Sequence, residues 1–320
     1  MIKLRTEIER IPLPRLIDRG EGIMLLGSCF TDHIGQWLEA SWLPVLCNPW
    51  GVLFNPASIA SSLLRILSDS PYEPELHAQN GRYYSFDHHG KWSGDHPEAL
   101  RQQLISLDLE IHSFLSTAKH LVVTFGTSWI YEREGKVVAN CHKFPASDFS
   151  RRCLSVAEIV DQWSQVIEAF NSHSSQQIPH SIIFTVSPIR HVRDGLHANQ
   201  LSKATLLLAI DELVRLYPAQ VEYLPVYELF MDDLRDYRFY AEDMVHPSPL
   251  AIEAVKELFV DCALTSELRK YMKESEAIVR ALQHRPSDPD SPQYQAFLAE
   301  TLRKKETLLS KFTIKDCKSS

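Results

Sequence analysis

Ser28 stands near the start of this 320-residue chain, and Asp243 and His246 stand near its end. Together these three residue types can make and break an ester. A serine hydroxyl attacks a carbonyl well only when a base takes its proton. An imidazole does so best when a carboxylate holds its other nitrogen. In Asp243-Met244-Val245-His246 the acid and the imidazole are three apart, a spacing at which both can face the same way on one turn. Ser28 lies in Gly27-Ser28-Cys29-Phe30, where Gly27 permits a sharp turn. Plainer roles are open for each residue: Ser28 as the N-cap of a helix, Asp243 as a capping acid in a polar loop. Cys29 is a rival nucleophile, since a helix N-terminus lowers a thiol pKa.

The elements that must position these groups are legible in the hydrophobic pattern. Ile23 to Leu26 reads as a buried strand, and Ile34, Trp37 and Leu38 mark a helix over about 32–40. Ser28 then falls between strand end and helix start, where free N–H groups and the helix dipole favour a developing oxyanion. Four further strands are predicted at Leu43–Cys47, Leu121–Phe125, Ser181–Ser187 and Val221–Val226, separated by helical stripes. A helix to about Ala263 follows His246. Such alternation implies right-handed βαβ units. The fold class expected is α/β, a flavodoxin-like three-layer α/β/α sandwich on a parallel five-stranded sheet. Ligands bind such sheets beyond the carboxyl ends of the strands. Those ends carry Ser28; Asn48 and Gly51; Gly126 and Thr127; Ser187 and His191; then Asp243 and His246.

Two stretches interrupt the rhythm. Residues near 70–95 read as a long loop or small hairpin insertion whose Tyr83, Tyr84, Phe86 and Trp92 could wall a pocket. Near 129–150, Trp129 to Glu132 and Lys136 to Ala139 flank Glu134-Gly135 as a hairpin, which delivers Asn140 and His142. The main domain is placed at 1–264. A charged, amphipathic helical pair at 265–320, broken by Arg285 to Pro292, packs on the core or on a partner chain.

The turns at the two ends of the chain resemble those of the SGNH/GDSL hydrolase superfamily. More closely, Gly27-Ser28-Cys29-Phe30 resembles the signature of the GSCFA-domain family. Asn48-Pro49-Trp50-Gly51 with Asn55-Pro56, Asn140-Cys141-His142-Lys143, Ser187-Pro188-Ile189-Arg190-His191 and Asp236-Tyr237-Arg238-Phe239-Tyr240 are similar to further runs of that family. The likeness covers about the first four-fifths of the chain. It implies an esterase-like reaction: Ser28 as nucleophile, His246 as base and then acid, Asp243 orienting His246. It also implies an oxyanion hole built from the Ser28 N–H, a glycine N–H after the second strand, for which Gly51 is the candidate, and an asparagine after the third. Here the chain departs from the pattern, because Thr127 and Ser128 follow Gly126 where Gly-x-Asn is expected. Asn140 or the Thr127 hydroxyl could stand in. Asn55, His142 and His191 complete the expected substrate-binding set. The substrate expected is a small-molecule or carbohydrate ester. Acyl transfer to another hydroxyl, a non-catalytic binding module and a metal-dependent hydrolase using His88, His89, His142 and His191 remain as alternatives.

Composition narrows the classes. Hydrophobic residues make up 44% of the chain, ordinary for a packed core. A net charge of -8, from 33 basic and 41 acidic residues, argues against a nucleic-acid partner. The six cysteines form no Cys-x-x-Cys, so neither a zinc knuckle nor a disulfide framework is expected, and reduced thiols suit a cytoplasmic protein. No metal or other cofactor is called for. No apolar run is long enough to span a bilayer, so no membrane partner is expected. Oligomeric state is left open.

Overall fold

In the computed structural model, residues 6–68, 70–172 and 181–313 are described, with backbone alone for Cys29, Phe30, Phe312 and Thr313. The chain runs β1 (Gly22–Gly27), α1 (Cys29–Ala40), β2 (Val45–Cys47), α2 (Pro56–Ile66), β3 (His77–Gln79), β4 (Arg82–Tyr84), β5 (Ser93–Gly94), α3 (Pro97–Leu115), β6 (Ala118–Phe125), β7 (Trp129–Arg133) and β8 (Lys136–Val138). It continues through β9 (Ser150–Cys153), α4 (Val156–Ser172), β10 (Ser181–Val186), α5 (Leu196–Leu216), β11 (Val221–Tyr223), a short α6 (Val226–Glu228), α7 (Pro249–Ala263), α8 (Ser266–Leu282) and α9 (Pro292–Thr313).

Five parallel strands lie in the order β11-β10-β6-β1-β2, the doubly wound arrangement expected. Side chains alternate between the two faces of a strand. Met24, Leu26, Leu121, Val123, Ile182 and Phe184 therefore join one core, with α2, α4 and α5. Ile23, Leu25, Val122 and Ile183 join the other, with α1 and α7. Burial on both faces is why these strands read as unbroken apolar runs.

Two small antiparallel sheets decorate this scaffold. The 70–95 insertion forms β3-β4-β5, and its Asn80-Gly81 turn has positive φ at both residues. The 129–150 hairpin gains a third strand, β9, which the sequence does not announce: Ser150 to Cys153 are polar and exposed, with no alternation to detect. Helices α8 and α9 fold back on α1. Tyr271 Oη donates to Ser41 O at 2.6 Å, Trp37 Nε1 donates to Glu276 at 2.7 Å, and Leu308 is buried. Among the described residues no helix is long and apolar enough to cross a membrane.

Candidate functional site

The register puts Gly27, Thr124 and Thr185 in one row across β1, β6 and β10. Gly27 has φ +137°, and a Cβ there would sit 2.2 Å from Thr124 O. Only glycine lets β1 pass this close to β6 and still turn into α1. Asn48 clamps the turn: its Oδ1 accepts from Gly27 N at 2.9 Å, and its Nδ2 donates to Asp32 Oδ1 at 2.6 Å.

Ser28 then occupies the N-cap position of α1, but its side chain makes no capping bond. Its Oγ is buried and has no hydrogen-bond partner among the described residues. An uncompensated buried hydroxyl costs about 1–3 kcal/mol, so a plain capping role does not account for it. One turn on, Thr31 donates its N–H to Ser28 O at 2.8 Å. The hydroxyls of Thr31 and Thr185, also unpartnered, belong to residues lining a cavity of about 10 Å³ between the sheet and α1 and α7. The side chain of Cys29, the rival nucleophile, lies outside the described residues.

The acid and the imidazole meet as expected. Asp243 Oδ1 accepts from the N–H of Val245 and of His246, both at 2.9 Å, and Oδ2 accepts from His246 Nδ1 at 2.5 Å. Those backbone bonds first, and the ring bond second, hold the Asp243 carboxyl down to about 2. With Nδ1 committed, Nε2 is the nitrogen left with a lone pair. The turn is tight enough to push Met244 to φ +58°. A bridge between Tyr240 and Pro247 closes its base, and Ser248 caps α7 directly behind it. Both side chains face solvent, His246 at 53% and Asp243 at 51% exposure. No hydrogen bond joins His246 to Ser28 Oγ. The two lie at the same rim of the sheet, since α1 and α7 both start there and pack side by side: Ile34 and Phe259 line one cavity.

The expected oxyanion donors are differently employed. Gly51 N–H closes a turn onto Asn48 O at 2.8 Å, so it is not the free donor the sequence suggested. The N–H groups of Gly126 and Thr127 both go to Phe54 O, at 2.8 and 3.1 Å. Thr127 Oγ1 bonds Ser202 Oγ at 3.1 Å and accepts from Trp129 N, which turns it inward. Asn55 caps α2 through Ser58 N rather than facing a ligand. Asn140 Oδ1 accepts from His142 N.

His142 belongs to the insertions. It stacks on Tyr84 at 4.9 Å, and its Nε2 bonds Ser85 O at 2.7 Å. Phe86 packs with it, and Trp92 Nε1 donates to Pro49 O. These aromatics fasten the insertions to each other and to the Asn48–Gly51 turn. His191 stays at the rim, edge-on to Phe54 at 6.1 Å. Burial first, and the Lys203 ammonium second, push its imidazole down to about 4, so it is neutral at pH 7. Among the described residues no three His, Cys, Asp or Glu side chains converge as metal ligands, and His88, His89, His142 and His191 form no such group.

Lys203 was missed by the sequence reading. It is buried on α5 and donates to Gly126 O at 2.5 Å and Ser187 O at 2.6 Å, tying together the ends of β6 and β10. Burial and the nearby Arg190 lower its pKa to about 7. Its signal was its place on the inward stripe Asn199, Lys203, Leu206, Ile210, Leu213.

Fold and site together define a doubly wound α/β protein with an uncapped serine at the first strand–helix turn and a carboxylate-held histidine on the last loop. The chain belongs to the GSCFA family: the family model matches residues 22–259, and a model of the C-terminal domain of GSCFA domain proteins matches 275–319. A search of curated proteins finds no match.

Proposed function

We propose that the protein is a serine esterase acting on a small-molecule or carbohydrate ester. Ser28 Oγ attacks the carbonyl carbon while His246 Nε2 takes its proton. The imidazolium formed is stabilised by Asp243 and returns the proton to the departing alcohol. Water then attacks the Ser28 acyl ester with His246 again as base, releasing the acid and restoring the hydroxyl. The Ser28 N–H at the start of α1 is one candidate donor to the oxyanion, and Asn140 is the candidate side-chain amide.

One observation carries the reading. Among the described residues Ser28 Oγ is buried, uncapped and unpartnered, at the same rim where Asp243 accepts two hydrogen bonds from His246 and a third from Val245. Folding leaves Ser28 Oγ at a disadvantage that a reaction would explain. The reading requires the Ser28–His246 hydrogen bond to form when substrate enters, as such bonds often tighten only in the complex.

A fluorophosphonate probe tests it. Covalent labelling of the full chain is expected at Ser28, lost in Ser28→Ala and strongly slowed in His246→Ala. A chain that fails to label under conditions that label a control esterase would refute the proposal.

A further inference from the structure

Arg190 leaves the end of β10 in the run Ser187-Pro188-Ile189-Arg190-His191, and it is half-buried. Its Nη1 donates to Tyr240 Oη at 3.3 Å and its Nη2 to Met231 Sδ at 3.5 Å, both long contacts to uncharged groups. Its guanidinium lies 5.9 Å from the Tyr240 ring centroid. Other partly buried arginines of the chain meet carboxylates: Arg15 meets Glu222, Arg65 meets Asp108, and Arg151 meets Asp194. Arg190 meets none among the described residues.

Its surroundings add to the imbalance. Lys203 lies close enough for Arg190 to lower its pKa, and the Lys203 ammonium is bound by two main-chain carbonyls, which bring no charge. The nearby Asp194 is already committed to Arg151. Arg190 thus lies in a partly dehydrated place with no carboxylate paired to it among the described residues, an arrangement that costs free energy unless a counter-charge arrives. A guanidinium has five N–H donors in a planar fork, so at least two remain for a ligand. Tyr240, which holds Arg190, bridges to Pro247, the residue after His246. The open cation is therefore fastened to the loop that carries the acid–base pair. Strands of one sheet lie about 4.8 Å apart, so the ends of β1 and β10, two strands apart and followed by Ser28 and by the Ser187–His191 run, are about 10 Å from each other. One substrate can span that distance.

We infer that Arg190 is the binding site for an anionic group, a carboxylate or a phosphate, carried by the substrate beside its ester. The inference rests on the esterase reading for the word substrate, while the anion site stands on the geometry of Arg190. A planar carboxylate or a phosphate edge fits the fork bidentately, which selects charged esters over neutral ones of the same size.

The test is binding, measured apart from turnover. The full chain is titrated with inorganic phosphate and, separately, with succinate, at constant ionic strength by isothermal calorimetry. Saturable binding of at least one anion is expected, and the tighter of the two identifies phosphate or carboxylate as the group read. Arg190→Gln is expected to weaken that binding about tenfold or more. Arg190→Lys, which keeps the charge but loses the fork, falls between, and it serves alone should Arg190→Gln melt early. Arg215→Gln, on the exposed side of α5, controls for net charge. Absence of saturable binding by both anions, or equal affinities in wild type and the Arg190 variants, overturns the inference. Anion binding without fluorophosphonate labelling removes the esterase reading alone. Labelling without anion binding removes this inference alone.

Discussion

Ser85 and His88 make a closer serine–histidine contact than Ser28 and His246 do, with Oγ and Nδ1 3.0 Å apart. Yet that pair is wholly buried under the insertions. No carboxylate touches the His88 ring among the described residues, and its Nε2 has no partner. Burial first, then the nearby Arg65, pushes its pKa down to about 3. At the sheet rim the terms are reversed. His246 is half exposed and oriented by Asp243, and Ser28 stands at a helix N-terminus without a side-chain cap bond. On the proposed reading, proximity alone would pick the wrong serine. An exposed base, a carboxylate behind it and a positive dipole at Ser28 separate the proposed couple from a packing contact.

The sharpest way to break this contrast is to remove each hydroxyl in turn. Ser28→Ala is expected to lower kcat by about four orders of magnitude or more, since nucleophile and base act as a unit. Ser85→Ala is expected to keep ester hydrolysis within about twofold and to lose about 1–3 kcal/mol of stability, because Asp87 N and His88 lose their partner. Loss of turnover in Ser85→Ala with a native melting curve would invert the assignment. A second cut is Asp243→Asn. It keeps the turn but offers an amide to Nδ1, which favours the wrong tautomer, and kcat is expected to fall about a thousandfold or more. Unchanged circular dichroism and an unchanged melting curve separate this from a folding defect.

The same contrast explains what could be read from the chain beforehand. Leu121 to Phe125 and Ser181 to Val186 declared themselves because burial on both faces keeps charge out of the run, leaving only the small hydroxyls of Thr124, Ser181 and Thr185. Asp243 and His246 were legible because their bonds are local, closed within one turn. The oxyanion candidates were not, because an N–H carries no side-chain label. Whether Gly51 N–H is free depends on the turn made by Asn48, whose backbone sits at φ +40°. His142 was read as substrate-facing, but its partner is a main-chain carbonyl 57 residues away, which no spacing rule can find. Lys203 needed only a stricter test, namely the question of why a lysine lies on an apolar stripe.

Gly27 sharpens the comparison from the side of the backbone. Gly27→Ala would force a Cβ against Thr124 O at a φ that an L-residue resists. A loss of about 3 kcal/mol or more is expected in urea unfolding, with folded molecules losing fluorophosphonate reactivity as Ser28 shifts. Gly135→Ala, whose Cβ would meet nothing within 4 Å, is the control for positive φ alone and should cost less. Equal losses in the two variants would show that turn strain, rather than the approach of β1 to β6, sets the requirement.

The smallest effect probes the buried couple through pH. His88 has its folded pKa lowered to about 3 from an ordinary 6.5. Above pH 6.5 the ring is neutral whether folded or unfolded, and its titration adds no pH dependence. Between 6.5 and about 3 the unfolded chain binds a proton that the folded chain refuses, so stability falls as pH falls. From pH 7 to 5 one such group accounts for about 2 kcal/mol. His191, lowered to about 4, acts in the same direction. His88→Gln should therefore flatten the fall of stability in urea unfolding between pH 7 and 5 by about that amount, with His191, His142 and His77, all lowered by burial, carrying the remainder. A midpoint that falls as steeply in His88→Gln as in wild type would mean that His88 takes its proton without unfolding. The buried couple would then be as open to water as the one at the rim.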